Sequence, residues 1–342
     1  MSRLRRLWPV LLGAVVVSLL GGVIIDRLVL LEPLSLPALS AGRVANGVTF
    51  LGSDLSGYDA QQLSAYLREL APALRREPSD ARVDPDTKGL IPDLYGQELD
   101  VDSTIAALLT ARPGSAVSPA FRPLKAAKTL ADLPPGVIYR GHPAKNQIAL
   151  AINVAWGDEY LPGMLAILEE HNVKATFFFV GSWANKNRTK VQEIAAAGHE
   201  VASHGYAHLH LSRATTETIR QDTAACSALL EEITRRPVRL FSPAYGEWDA
   251  RVPVIARELG LTTVLWSIDT VDWKKPGVEA MTRKILTRAH NGAVILMHPT
   301  DQTEQALAAM IEGLQEQGFA LVTISELLSP VGVLTPLAGW KP

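Results

Sequence analysis

Short apolar runs alternate with helical patterns through the second half of the chain. IALAINV (148–154) is followed by LPGMLAILEEH, ATFFFV (175–180) by TKVQEIAAAG, HEVAS (199–203) by ETIRQDTAACSALLEEI, and VRLF (238–241) by DARVPVIAREL. TTVLWS (262–267), AVILM (293–297) and ALVTI (320–324) continue the series. Seven such alternations predict an α/β fold, a parallel sheet with helical crossovers. When a sheet of this kind closes into a barrel, its chemistry sits on the loops at the strand C-terminal ends.

A different pattern precedes it. VTFLGSDLSG reads as a strand ending in a turn, and YDAQQLSAYLRELAPALRR (58–76) places Leu63, Leu67 and Leu70 on one helical face. A polar stretch and a second short helix, DSTIAALLTA, follow, with Asp102 or Ser103 as the cap. This small α+β unit, 44–128, resembles in part the peptidoglycan-binding modules of exported wall proteins, a plain spacer being the alternative. Pro134, Pro135 and Gly136 mark a linker, 129–147, before the repeating region, 148–328, and a tail, 329–342.

The N-terminus changes the compartment. Arg3, Arg5 and Arg6 precede Leu7–Ile25, an uncharged run long enough to cross most of a bilayer core as a helix. Asp26 and Arg27 follow directly where a cleavable signal would carry a small-x-small site, so the pattern favours an uncleaved anchor over 1–30. The arginines stay cytoplasmic, and a tether, 31–43, leads to an extracytoplasmic remainder.

Composition removes alternatives. The 342 residues are 47% hydrophobic, and 33 Lys+Arg against 35 Asp+Glu give a net charge of −2, so no basic field exists to hold nucleic acid. The single cysteine, Cys226, excludes a disulfide framework and lies in a helical pattern as a packed small residue.

Polar residues cluster at the strand ends. His204 and His208 stand four apart just beyond HEVAS; on a helical turn they would share a face within reach of one metal. Ordinary hydrogen-bonding histidines are the alternative reading, and His210 is a weaker third candidate. Asp269, Asp272 and Trp273 follow TTVLWS, and His298 follows AVILM. A histidine whose tautomer is fixed by a carboxylate is suited to act as a general acid.

The ordered segments HNVKATFFFVG (171–181), GHEVASHGYAH (198–208), FSPAYG (241–246), WSIDTVDW (266–273) and ILMH (295–298) resemble the polysaccharide deacetylase family, the NodB-homology or carbohydrate esterase family four enzymes, over about 137–328. The resemblance implies a distorted (β/α) barrel of about seven strands acting on acetylated glycans such as cell-wall peptidoglycan. It also implies a divalent metal, usually zinc, held by two histidines and an aspartate. By match, His204 and His208 are the metal ligands and His298 the general acid. Asp269 or Asp272 orients that acid, and Tyr245, Trp273 and Ser242 belong to the groove. The family's first motif, T-F-D-D-G, departs here: the general base falls on Asn153 and the metal aspartate on Val154, while a second register falls on Ala155 and Trp156. Neither register holds a carboxylate. Ser242 replaces an arginine that contacts the base.

Loss of a general base costs about 10²- to 10⁴-fold in rate, and two histidines without a third ligand hold zinc weakly. Asp158 and Glu159, on the following loop, are the substitutes that the sequence offers. The spelling INVAWG resembles a sporulation-associated branch of the family. Two readings follow: a membrane-anchored deacetylase with a non-standard site, or a catalytically inactive glycan-binding or scaffolding protein of the envelope.

Overall fold

A computed structural model describes residues 42–331. The apolar run 7–25, nearly all of the tether and most of the tail lie outside the described residues. Among those described, no helix is long and apolar enough to cross a membrane.

The alternating region folds as a curled parallel half-barrel. Its strands run in the order Ile268–Asp269, Val294–Met297, Gln147–Val154, Thr176–Phe179, Glu200–Ser203, Leu240–Phe241, Thr262–Val264 and Val137–Ile138. Ala320–Val322 pairs with the first half of Gln147–Val154. The segments 262–264 and 268–269 are nearly contiguous in the chain, yet they sit near opposite ends of this path, so the sheet has to curl back on itself. The strand Val137–Ile138 raises the count above seven. It lies in the stretch expected to be a linker, and two paired residues are too short a run to stand out in the sequence.

Alternation along Gln147–Val154 sends neighbouring residues into two cores. Ile148, Leu150, Ile152 and Val154 join the outer layer under the helices. Ala149 and Ala151 face the inner cluster, where their small side chains and that of Ala202 leave room for Phe178. At the N-terminal end of the strands the barrel is closed by Ile324 and Leu327 of the helix Ile324–Leu328. Lys145, fully buried, fastens this helix by donating to the carbonyls of Glu326, Leu327 and Ser329 at 2.8, 2.9 and 2.9 Å. Burial pushes its ammonium down to about 8, which leaves it mainly charged at neutral pH, where it satisfies the terminal carbonyls. The chemistry is therefore left to the other end.

In the small unit, the helix Ala60–Leu74 starts in a capping box between Asp59 and Gln62 and buries Leu63 and Leu67 completely; Leu70 is partly covered. The helix Val101–Leu109 is capped by Asp100, not by Asp102 or Ser103, because the Asp100 carboxylate reaches the Ser103 N–H at 3.1 Å. The expected first strand is a short hairpin, Thr49–Phe50 against Ser53–Asp54, turned by Leu51 and Gly52 at φ of 50° and 80°. Asp84 of this unit, fully buried, pairs with Arg140 at 2.9 Å.

Two buried histidines outside the site make stability pH-dependent. Burial, with Arg82 and Lys145 near His142 and Lys174 near His199, lowers both to about 4 from 6.5. The unfolded chain takes up these protons first as the pH falls, so the stabilisation is complete above about 6.5 and is lost between there and 4. The loss is roughly 2 kcal/mol per histidine on acidification to pH 5. Urea unfolding at pH 7.5 and 5 measures it, and equal stabilities would contradict neutral burial.

Candidate functional site

Asn153 is the next inward position after Ala149 and Ala151, at the C-terminal end of its strand, and it forms the floor of a cavity with His204. Both are buried. Nδ1 of His204 lies 2.7 Å from the carbonyl oxygen of Ser242 and so carries the proton, which leaves Nε2 with a lone pair. Asn153 Nδ2 donates to that lone pair at 3.3 Å, and Asn153 Oδ1 has no partner among the described residues. Burial holds the His204 ring neutral: its pKa falls to about 3, with His208 and His298 adding to the effect and the Ser242 carbonyl opposing it.

The chain between the two histidines is a loop. Instead of a helical turn, Gly205 and His208 adopt φ of 76° and 55° and reverse the backbone, bringing the ring centroids to 5.1 Å at 62°. Asp222 pins the reversal by accepting from the N–H groups of Tyr206 and Ala207 at 2.9 and 2.8 Å. A Cβ at position 205 would meet Asp222 Oδ2 at 2.6 Å, so this turn requires glycine twice over.

Across the cavity stands His298. Its Nδ1 donates to Asp272 Oδ1 at 2.8 Å, and the same carboxylate accepts from the backbone N–H groups of His298 and Trp273 and from Thr303 Oγ1. Burial pushes the fully enclosed Asp272 upward, but the His298 pair and these bonds together hold it below its ordinary value. Asp269 lines the cavity and accepts from the Val271 N–H at 2.7 Å, with no bond to His298. Of the two aspartates, Asp272 is therefore the one that fixes this imidazole. Val271, Tyr245 and Lys275 occupy the left-handed region at φ of 58°, 60° and 51°, a costly conformation for a β-branched residue above all.

The cavity measures about 510 Å³ and is walled by aromatic rings, with Trp156, Tyr245 and Trp273 exposed at 46%, 57% and 56% and Trp266 behind them. Several expectations fail here. Val154 is fully buried in the outer core, because period-two alternation turns it away from Asn153; the next position on the cavity wall is Ala155. Ser242 is buried and does not line the cavity, its contribution being the carbonyl on His204. Asp158 pairs with Lys190 at 2.7 Å, Glu159 is exposed, and neither reaches the site. His210 stacks on Tyr245 outside the lining. Asp222 carries no motif that marks it in the sequence, and Trp156 and Trp266 join the lining as aromatic walls, a role that their positions in the strings INVAWG and WSIDTVDW do not reveal.

The residues present do not fit the divalent metal that the resemblance implies. Among the described residues, no three His, Cys, Asp or Glu side chains are grouped closely enough to hold an ion. One of the two imidazole lone pairs already faces an amide N–H. Catalytic zinc ordinarily has three protein ligands.

The profile described as polysaccharide deacetylase matches residues 140–264. A peptidoglycan-N-acetylglucosamine deacetylase of Bacillus cereus is 34% identical over 191 residues, 54% of this chain and 89% of that protein. The chain belongs to the polysaccharide deacetylase family. The protein YlxY of Bacillus subtilis, described as uncharacterized, is 36% identical over 268 residues, 78% of this chain and 84% of its own length. The crystal structure of a family pseudoenzyme from Bacillus anthracis superimposes with a TM-score of 0.72 at 35% identity, covering 79% of this chain and 96% of that one.

Replacing the amide by a carboxylate tests the floor. In Asn153→Asp the donor to His204 Nε2 becomes an acceptor, and two facing acceptors recruit a cation or a proton. The wild type is expected to bind zinc weakly, and Asn153→Asp at least about tenfold more tightly. Calorimetric titration reads the difference; equal affinities would show that position 153 does not control the ligand set.

Proposed function

We propose that this polysaccharide deacetylase-like chain is a catalytically inactive glycan-binding or scaffolding protein of the cell envelope, holding N-acetylated wall polysaccharide in the aromatic cavity. The observation that carries this reading is the Asn153 amide on the His204 lone pair. Amide hydrolysis at such a site needs an activated water and a group to take its proton. An amide cannot take that proton, Ala155 beside it cannot, and Asp158 is engaged elsewhere. The likeness to a family pseudoenzyme supports the same reading. The deacetylases among the relatives, named for peptidoglycan N-acetylglucosamine, supply the ligand class.

The competing enzyme reading draws on one observation, the retained His298–Asp272 pair. Acetate release separates the two. Wild type and His298→Ala are expected to release equally little from N-acetylglucosamine oligomers and wall fragments, while the wild type is retained on insoluble wall glycan. Release by the wild type above the His298→Ala background would restore the enzyme.

The anchor over 1–30 keeps the domain at the membrane face of the wall, and the unit 44–128 adds a second wall contact. The spelling INVAWG supports a place among sporulation-associated variants. Fractionation of cells is expected to recover the full-length chain with the membrane. A soluble product whose N-terminus lies beyond residue 26 would mean a cleaved signal.

A further inference from the structure

Resting on the glycan-binding reading above, we propose that Trp156 is a specificity-determining residue: it completes a three-sided aromatic clamp for an N-acetylhexosamine ring, with His298 backing the indole as a positioning residue. The first argument is where the exposed rings fall. Trp156, Tyr245 and Trp273 are each about half exposed, and all three border the one cavity. Large apolar side chains concentrated in that way mark a binding surface.

The second argument is that each ring is held by a neighbour. Trp156 lies nearly parallel to His298, 9° between planes with centroids 5.9 Å apart. Tyr245 lies parallel to His210 at 4.1 Å and 6°, and His210 is anchored by Nδ1 donation to Glu247 Oε2 at 2.6 Å. The Lys274 ammonium sits 4.6 Å from the Trp273 ring centroid. A ring supported in this way loses little freedom on binding, which favours affinity. The electron-rich faces suit the C–H face of a pyranose.

The third argument is the floor. Asn153 borders the cavity at 4% exposure, and its buried Oδ1 has no partner among the described residues, so the floor under the rings is polar but uncharged. His298 has its Nδ1 committed to Asp272 and one face turned to Trp156, so its ring is fixed in the place where it backs the indole.

Calorimetry with a β-1,4-linked N-acetylglucosamine tetramer tests the proposal on the folded protein, with circular dichroism as the check on each variant. The wild type binds, Trp156→Ala binds at least about tenfold more weakly, and Trp156→Phe stays close to wild type. Trp248→Ala, an exposed tryptophan outside the cavity lining, is unchanged. His298→Ala weakens binding and His298→Phe restores it, since a ring without a proton suffices for backing. A tetramer bound equally by wild type and Trp156→Ala overturns the inference and leaves the glycan reading standing. No binding by the wild type overturns the glycan reading itself. If His298→Phe binds as weakly as His298→Ala, the backing role falls.

Discussion

His204 is held from both sides, and the character of the cavity depends on which groups hold it. The Ser242 carbonyl accepts a hydrogen bond from the Nδ1–H, so Nε2 must present a lone pair; Asn153 meets that lone pair with an N–H. Exchanging the amide for an acid reverses the sign of the contact. Two acceptors face to face repel unless a proton or a cation lies between them, whereas an amide and an imidazole are content with each other. The floor is thus internally satisfied through one neutral contact, apart from Asn153 Oδ1.

The opposite wall carries a pair of the kind used in catalysis, but its bonding explains its presence on other grounds. Asp272 is fully buried and accepts from His298, Trp273 and Thr303. Removing one partner from such a buried charge costs about 3–5 kcal/mol, a large part of the stability of a typical domain, about 5–15 kcal/mol. A histidine at 298 therefore stabilises the fold once Asp272 is enclosed, whether or not a proton is ever transferred. The left-handed residues nearby, Val271, Tyr245 and Lys275, carry strain of about 1–3 kcal/mol each. They shape the loops that carry Trp273 and Tyr245, so a binding surface would account for them as well as catalysis would.

Much of this was legible in the sequence because strand-end motifs survive as contiguous strings. The alternating runs, the histidine pair, Asp272 with His298, and the aromatic residues all appear in readable segments. What escaped needed three-dimensional direction. Adjacent positions 153 and 154 look equivalent in a motif, yet alternation sends one into the cavity and the other into the outer core. The H-x-x-x-H spacing fits a helix on paper, but Gly205 and the distant Asp222 impose a reversal. Ser242 reads as a groove side chain, whereas its backbone does the holding. The two-residue strand at 137–138 is visible only through its partner at 263–264.

Positions 153 and 242 belong to one problem of buried charge. Both residues are enclosed, at 4% and 3% exposure. In the family pattern that the chain resembles, a carboxylate and an arginine occupy these places. A lone acid at 153 would sit beside a lone pair with no metal to neutralise it, and a lone arginine at 242 would have no partner at all; either state carries a penalty of several kcal/mol. Changing both to neutral side chains removes both penalties at once. The same exchange leaves the aromatic walls untouched, because Tyr245, Trp273 and Trp156 are held by His210, Lys274 and His298 and not by the lost pair. A cavity that discards its ionic half can therefore keep its shape, and on the proposed reading this separability is what lets binding persist without turnover.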